Sequence, residues 1–532
     1  MASTSTRDIA TADVAPVIDD LRRRRAVLWA VCVALMAVVA SVTGLNVAQP
    51  SLATTFDISQ GQVLWIINIY TLTLAAMLLP LGAAGDRWGR KPVLMMGLAV
   101  FGIANIAATL APNLAVMLGA RLLSGIGAAL IMPVTLSVIT TSFPDKERSK
   151  AIGVWSAVAA GGGVLGMFLS ALLVDVATWR WLFALPIALT LVSAAISLRS
   201  VPNSREPAAG RFDLLGTLTS IVAAVGFTYA LHEAPTLGWA DPVILISLAV
   251  AAAATAAFIV WERRTPHPLL NVRHFCTRSL SSGTTLLLVL FGIQGGVFLV
   301  LYPFLQVMLG WSGLRTTLGM MPMALLMMAS SGLAPKLAAR IGLRATMVTG
   351  LTVTGAGLAL MAASVSTTSG YLTLLPGLIA MGLGAGLAMT PSTEAITSAL
   401  PRQEQGVASA LNDLTRELGA ALGIALLGGL LAAGYHTAIS TRLDGVPTDL
   451  ADTAREGIAN ATAVSSTAGS YSQQILTAAH EAFIAGWQHA MWVGVAVIAA
   501  LVLFILINGP KKVAATEGHG ETEEHEETKR QE

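Results

Sequence analysis

The sequence predicts an all-α integral membrane protein whose chain crosses the bilayer fourteen times. Charged residues make up only 12% of the 532 residues, whereas hydrophobic residues make up 55% and the mean hydropathy is +0.71. Soluble domains carry about 25% charged residues, so this chain has far more apolar surface than soluble cores could bury. A helix crosses the bilayer with about 20 apolar residues, and the composition therefore excludes a soluble enzyme.

The fourteen predicted spans are apolar runs separated by polar connections. They fall near residues 27–49, 62–84, 92–111, 114–140, 151–174, 181–199, 213–232, 242–261, 280–306, 316–335, 345–365, 371–397, 407–434 and 486–508. The polar residues 1–21 and the run Arg22 to Arg25 before the first span do not form a cleavable signal. With two cysteines, Cys32 and Cys276, a disulfide framework is excluded.

Basic residues divide unequally between alternate connections. The segments predicted to lie inside hold 26 of the 32 Lys and Arg residues, whereas those predicted to lie outside hold four, namely Arg180, Arg315, Arg442 and Arg455. Cytoplasmic loops carry the excess of basic residues. We therefore expect a multi-pass protein of the bacterial inner (cell) membrane with both tails, 1–26 and 509–532, in the cytoplasm.

Two polar segments lie outside the predicted spans. Residues 435–485 are rich in Ala, Thr, Ser and Gly and form a long outer loop, which is either a lid over the outer opening or a spacer. Residues 517–532 form an acidic tail. Its His519 and His525 suggest metal binding, but a solvated, disordered tail is the simpler interpretation.

Several motifs lie in a consistent order on the predicted spans. They are NVAQP (46–50), GAAGDRWGRK (82–91), RLLSGIGAA (121–129), WRWLF (179–183) and NDLTRELGAALG (412–423). Together they resemble the fourteen-span drug:proton antiporter family of the major facilitator superfamily. The resemblance implies two six-helix bundles, 27–199 and 280–508, with two extra central helices in 200–279. It also implies export of hydrophobic, often cationic compounds by alternating access, driven by proton entry.

The 82–91 motif predicts a conformational latch. A carboxylate at the helix end with basic residues beside it forms an ion-pair cluster that opens as the two halves rock, and glycines permit close helix approach. The alternative is that these charges only enforce topology and bind anionic lipid. An arginine inside a span must face a partner or water, and we group it with the latch. The assigned residues are Gly82, Asp86, Arg87, Gly89, Arg90, Lys91 and Arg121.

Three carboxylates lie well inside spans and are the candidates for proton coupling. Glu394 lies on span twelve, and Asp413 and Glu417 lie on span thirteen with Arg416 on the same helical surface. Burial and a neighbouring arginine act on a carboxyl group in opposite directions, so such a group can exchange protons near neutral pH. The alternative is that Asp413 and Arg416 form a purely structural pair.

The amino-terminal half lacks two acids that the resemblance leads us to expect, because Ser41 and Asn68 stand at those positions. We therefore expect poor handling of dications. Polar and adaptable residues inside the spans define a candidate substrate cavity. They are Ser41, Asn46, Gln49, Asn68, Trp155, Gln294, Tyr302, Gln306, Met320, Met323 and Met327. Methionine suits varied ligands, although a methionine stripe is more often typical of packing or lipid contact.

Secondary active export of hydrophobic drugs or antibiotics is the predicted function, and a lipid or glycolipid translocator of the same fold is the alternative. An ATP-driven pump would need a phosphate-binding loop, which the sequence lacks, and a channel has no use for a latch. No His cluster suggests a metal site, so we expect no cofactor. The expected partners are the hydrophobic small-molecule or lipid substrate, protons and membrane lipids, without nucleic acid, and we expect a monomer.

Overall fold

The computed structural model describes residues 18–45, 48–176, 178–204 and 213–510, which are helical apart from short connections. The helices are α1 (Leu21–Gly44), α2 (Gln49–Phe56), α3 (Gln60–Trp88), α4 (Arg90–Thr109), α5 (Leu114–Ser142), α6 (Asp145–Val176), α7 (Ala184–Ser200), α8 (Leu214–Leu237), α9 (Pro242–Glu262), α10 (Arg278–Pro303), α11 (Gly313–Ile341), α12 (Leu343–Ser364), α13 (Tyr371–Ala399), α14 (Gln405–Ser440), α15 (Thr448–Arg455), α16 (Ile458–Ser465) and α17 (Ser472–Asn508). Fourteen helices in these described ranges are long and apolar enough to cross a membrane. The predicted number of spans is confirmed.

Large apolar side chains cover the outside of the helix bundle. On α9, for example, Leu245, Ile246 and Val250 are exposed. A surface of this kind is unfavourable in water and favourable against lipid tails. The backbone polar groups form their hydrogen bonds within each helix, so the side chains can face hydrocarbon.

The helices pack as two groups with two additional helices at one side of their contact. α1 and α3 to α7 form the amino-terminal group, and α10 to α14 with α17 form the carboxy-terminal group. The groups meet along two seams, where α3 contacts α14 and where α6 contacts α11. α8 packs on both α3 and α14, and α9 packs on α8. The extra helices therefore border one seam only.

Both ends of the chain's helical part lie on one face of the bundle, which we call the terminal face. There Arg24 at the start of α1 pairs with Glu147 at the start of α6, with an N–O distance of 3.0 Å. A Cβ atom at Gly509, after α17, would lie 2.9 Å from Arg344 of α12. The connections α3–α4, α5–α6 and α13–α14 reach the same face, and the other face is called the opposite face.

The first span begins and ends earlier than the predicted run 27–49. α1 ends at Gly44 and the short helix α2 begins at Gln49 with Pro50 in its first turn. Proline is favoured in the first turn of a helix, where its missing N–H costs nothing, and a new helix begins there instead of α1 continuing. The NVAQP motif thus follows the span, and its Asn46 and Val47 lie outside the described residues.

The predicted outer loop 435–485 is mostly helical. α14 continues to Ser440, α17 begins at Ser472, and α15 and α16 lie between them. Tyr435 donates a hydrogen bond to the Ala454 carbonyl at 2.8 Å, and Arg442 pairs with Glu481 at 3.0 Å. Alanine-rich sequence favours helix, but hydropathy detects only the apolar part of a helix, so the polar ends outside the bilayer were not predicted.

Candidate functional site

The carboxylate of Asp86, in the last turn of α3, joins the two halves at the terminal face. Its Oδ2 atom accepts hydrogen bonds from the backbone N–H groups of Gly406 at 2.7 Å and Val407 at 3.3 Å. These N–H groups lie in the first turn of α14, where they have no acceptor within the helix. A buried carboxylate at a helix N-terminus is favoured by the helix dipole, so this contact stabilises the approach of α3 to the start of α14.

Arg90 completes the latch within the amino-terminal half. It pairs with Asp86 Oδ1 at 2.7 Å, and its Nε donates to the Ser137 hydroxyl at 2.7 Å. Gly89 has a φ of +102° between α3 and α4, a conformation that favours glycine. Lys91 donates to the Leu198 carbonyl at 2.7 Å. Asp86 and Arg90 are thus held in one geometry by residues of α3, α4 and α5.

Gly82 permits the approach of α3 to α14 that the latch needs. A Cβ atom there would lie 2.6 Å from Ala410 Cβ and 2.7 Å from the Gly406 carbonyl. Arg87 follows Asp86 in the last turn and is partly exposed. Gly82, Asp86, Gly89, Arg90 and Lys91 therefore take part in or shape this one contact region.

Arg121 lies apart from the latch, which differs from the sequence-based grouping. Its Nη1 donates to the Ser41 hydroxyl at 3.0 Å, its Nε donates to the Ile66 carbonyl at 3.3 Å, and its guanidinium lies 4.3 Å from the centroid of the Tyr70 ring. It is fully buried in the amino-terminal half. Arg121 and the latch residues are polar residues of neighbouring spans, which is why the sequence grouped them. In the structure they lie at different heights along the helix axes and form separate sites.

Asp413 and Arg416 form a fully buried pair on α14. Arg416 Nη1 lies 3.6 Å from Asp413 Oδ1, which also accepts from the Asn412 amide at 3.1 Å. The Asn412 carbonyl oxygen in turn accepts from the Thr393 hydroxyl of α13 at 3.0 Å. Among the described residues, Asp413 Oδ2 and the Nε and Nη1 atoms of Arg416 have no hydrogen-bond partner. The pair is loose and keeps unused donor and acceptor capacity.

Glu417 is partly buried beside this pair and faces the amino-terminal half. It is close enough to Arg416 and Asp413 to interact electrostatically, and it acts in the same way on Tyr70 of α3. The guanidinium of Arg121 lies over the ring of the same Tyr70.

Glu394 does not join the α14 acids, although it was grouped with them. Its Oε1 accepts a hydrogen bond from the Ser149 hydroxyl of α6 at 2.5 Å. Ser149 lies one turn into α6, near the terminal face. The carboxylate therefore bridges the two halves at the second seam, and the neighbouring Thr393 faces the Asn412 and Asp413 cluster instead.

The predicted cavity residues lie in several separate places among the described residues. Met323, Met327 and Gln294 line a cavity of about 10 Å³ inside the carboxy-terminal half, which is room for about one water molecule. Met320 is buried nearby, Tyr302 donates to the Met167 sulfur, and Gln306 is exposed near the opposite face. The remaining members are Ser41 beside Arg121, half-buried Asn68, Gln49 at the start of α2, buried Trp155, and Asn46 outside the described residues.

Sequence reasoning missed the partners that complete these sites. Gly406, Asn412, Thr393, Ser149 and Tyr70 were not selected, because their residue types alone do not mark them as functional. Gly406 offered a weak signal as a glycine just before a predicted span, and Asn412 is the first residue of the 412–423 motif. The hydroxyl partners offered no signal, since their contacts depend on a neighbouring helix.

The fold and these contacts define a polytopic membrane protein with two helix groups, a buried carboxylate that joins them on one face, and buried charges where the groups meet. The sequence profile of the Major Facilitator Superfamily matches residues 30–424, and the chain belongs to this superfamily, which consists of transporters and not of enzymes.

Two curated relatives and one solved structure illustrate the similarity. The multidrug resistance protein Stp of Mycobacterium tuberculosis is 31% identical over 401 residues, covering 75% of this chain and 74% of that protein. The methyl viologen resistance protein SmvA of Salmonella typhimurium is 32% identical over 457 residues, covering 84% and 90%. A bacterial homologue of the human lysosomal transporter Spinster superposes with a TM-score of 0.56 at 17% identity, covering 93% and 100%, which shows the shared fold.

Proposed function

We propose that this protein exports hydrophobic drugs or antibiotics from the cell by alternating access, with proton entry as the driving force. The relatives named above are described as multidrug and methyl viologen resistance proteins, and they match most of this chain and most of their own length. Further relatives include a puromycin resistance protein, 34% identical over 408 residues. A small-molecule substrate and outward transport follow from this relationship.

Proton coupling is supported by the Asp413 and Arg416 pair. Its Nη1–Oδ1 distance of 3.6 Å exceeds the distance of about 2.7–2.9 Å of a charge-assisted hydrogen bond. A carboxylate that is buried yet loosely paired can take up a proton with a smaller loss of ion-pair stabilisation than a tightly paired one. Since the pair lies where the two halves meet, its surroundings change when the halves rock. The loose Asp413–Arg416 pair is therefore the observation that supports proton coupling.

The orientation belongs to the same proposal. The terminal face carries the excess of basic residues, which supports a cytoplasmic terminal face in a bacterial inner membrane. In this structure that face is closed by Asp86 on α14 and by Glu394 on Ser149. The conformation is therefore one in which cytoplasmic access is blocked. We further propose that the transporter works as a monomer, with lipid around its apolar surface.

Reconstitution tests the proposal directly. Purified protein in proteoliposomes should move members of a panel of lipophilic dyes when a pH gradient is applied, and dissipating the gradient with an ionophore should abolish uphill movement. Asp413→Asn is the matched variant, since it keeps the side chain's shape. Transport of fluorescent phospholipid without dye transport would instead favour the lipid translocator.

A further inference from the structure

The guanidinium of Arg416 lies between two aromatic rings that belong to different halves. Its Cζ is 4.5 Å from the centroid of Phe291, on α10 of the same half, and 5.6 Å from the centroid of Trp155, on α6 of the other half. Both distances are within reach of a cation–π attraction, which is strongest for tryptophan and for desolvated cations. Arg416 is 7% exposed, so the rings act on a buried charge.

The rings compete with Asp413 for the same cation. The closest contact of the pair is 3.6 Å, Asp413 Oδ2 has no donor, and Arg416 Nε has no acceptor among the described residues. An arginine that turned fully to the carboxylate would form two shorter bonds. In its observed position the Arg416 guanidinium thus interacts with both the carboxylate and the π faces of the rings. One oxygen of the carboxylate, Asp413 Oδ2, is left able to bind a proton.

Trp155 is held rigidly in its own half. It is fully buried, and its Nε1 donates to the Thr135 hydroxyl of α5 at 3.0 Å. Thr135 donates onward to the Met132 carbonyl at 2.7 Å. The ring therefore moves with α5 and α6 when the halves separate.

Arg416, Asp413 and Phe291 move with the other half. Trp155 and Arg416 both lie roughly three turns in from the terminal face, counted along α6 and α14. A rocking motion that opens this face breaks the Asp86 and Glu394 contacts and separates α6 from the carboxy-terminal half. The Trp155 contact is lost in that motion, whereas the Phe291 contact is kept.

We propose that Trp155 is a positioning residue that couples opening of the terminal face to proton release from Asp413; this inference rests on the proposed proton-coupled export. With the face closed, Trp155 draws Arg416 from the carboxylate, and Asp413 Oδ2 binds a proton supplied by water from the opposite face. With the face open, Arg416 turns to Asp413, the carboxylate is favoured, and the proton leaves to water at the terminal face. This order of events matches proton entry during export.

Other ionisable groups act near the pair. Glu417 on α14 reaches Arg416 and Asp413, and through Glu417 the pair is linked to Tyr70 of α3 and Arg121 of α5. Nearer the terminal face, Glu394 of α13 interacts with Arg148 of α6. From α10 and α13 the pair meets the neutral Phe291 and Thr393.

The test compares two activities of the same proteoliposomes, with ethidium as the probe. Ethidium exchange is measured at equal pH on both sides, and ethidium accumulation is measured under an imposed pH gradient. Trp155→Leu should lower accumulation about fivefold more than it lowers exchange. Loss of a cation–π contact of this kind changes the equilibrium between the two positions of Arg416 by about this factor. Trp155→Phe, which keeps a π face, should recover most of the loss.

Three controls separate coupling from damage. Trp487→Leu removes another fully buried tryptophan, on α17, and should lower exchange and accumulation by the same factor. Phe291→Leu removes the ring that stays with Arg416 and should preserve the ratio of accumulation to exchange. Thr135→Val frees the Trp155 ring without removing it and should give an intermediate loss of that ratio, even if Trp155→Leu does not fold.

The outcomes are distinct. An unchanged ratio in Trp155→Leu, or in Trp155→Phe and Thr135→Val if the first variant does not fold, overturns the role of Trp155. Parallel loss of exchange and accumulation in these variants also overturns it, in favour of a purely structural tryptophan. If the unmodified protein exchanges ethidium but the pH gradient drives no accumulation, the proposed proton coupling itself fails.

Discussion

At the scale of single residues, the charges inside the membrane are distributed asymmetrically. Arg121 is fully buried and is surrounded by neutral acceptors, with Ser41 as its side-chain partner. The buried acids Asp413 and Glu417 lie in the other half. A buried cation without a counter-charge opposes the entry of further cations, so the amino-terminal half is expected to limit substrate charge.

Replacing Ser41 by Asp should extend the substrate range toward dications. The Ser41 hydroxyl is 3.0 Å from Arg121 Nη1, so a carboxylate there pairs with the arginine and removes the uncompensated positive charge. We expect export of methyl viologen to rise about tenfold relative to export of ethidium, an estimate based on one neutralised buried charge. Ser41→Asn, which adds no charge, is the control. Equal export of both cations by the unmodified protein would show that this position does not set charge selectivity.

Neutral replacement of the buried acids should identify the proton carrier. We predict that Asp413→Asn or Glu417→Gln abolishes dye efflux driven by a pH gradient and leaves dye binding measurable, because the shape of the side chain is kept. Glu394→Gln is the comparison, since its carboxylate contacts Ser149 at the terminal face instead of the Arg416 cluster. Uphill efflux by the triple variant would place the proton site elsewhere.

At the scale of helices, the start of α14 makes the contact to which we assign closure of the terminal face. Its first-turn N–H groups bind Asp86, and close approach is possible because Gly82 and Gly406 meet without side chains. Along the other seam, Gly153 of α6 meets Pro335 and the Ser331 carbonyl of α11. Both seams thus combine small residues with one bridging carboxylate, and closure depends on a few contacts.

Asp86→Asn should shift the protein toward opening of the terminal face. It removes the charge that stabilises the α14 N-terminus and the Arg90 pair, and such a carboxylate contributes up to about 2 kcal/mol when buried. Spin labels at Lys146→Cys and Gln403→Cys, in a background without Cys32 and Cys276, should report a longer distance.

The matched control for this latch variant is Asp145→Asn. Asp145 also bridges the halves, through Arg402 at 3.4 Å, but its side chain is 74% exposed, and exposed ion pairs contribute little. The label distance should stay unchanged in this control. The same response from both variants would mean that loss of any negative charge at the terminal face, and not loss of the α14 contact, controls closure.

At the scale of the whole molecule, orientation decides whether transport is export. Thr467, between α16 and α17, is exposed on the opposite face, whereas the nearby Ser465 is only 5% exposed. A cysteine at position 467 in a background without Cys32 and Cys276 should react with an impermeant thiol reagent in intact cells. Native Cys276 is exposed near the terminal face and provides the control. It should react only after permeabilisation, and the reverse pattern would invert the proposed orientation.

The number of spans and the burial of Asp413 followed from the sequence alone. Hydropathy and charge are properties of each residue type, and membrane insertion acts on each segment largely independently of its neighbours. Two errors have one cause, which is that hydropathy is a property of each residue taken alone. The polar helix ends in 435–485 carried no hydropathy signal. The break after Gly44 lies within the predicted run 27–49, just before Pro50, and apolar content does not reveal it.

The pairing of these residues was decided only by the tertiary structure. Asp86 binds an α14 that begins 319 residues later in the chain, at Gln405, Glu394 faces Ser149, and Arg121 belongs to Ser41 and Tyr70 instead of the latch. Which partner a buried charge meets depends on the rotation and height of two packed helices, and many sequences share a hydropathy pattern while differing in both. The contact of Trp155 with Arg416 is of the same kind, since it exists only because α6 of one half and α14 of the other bring these side chains together.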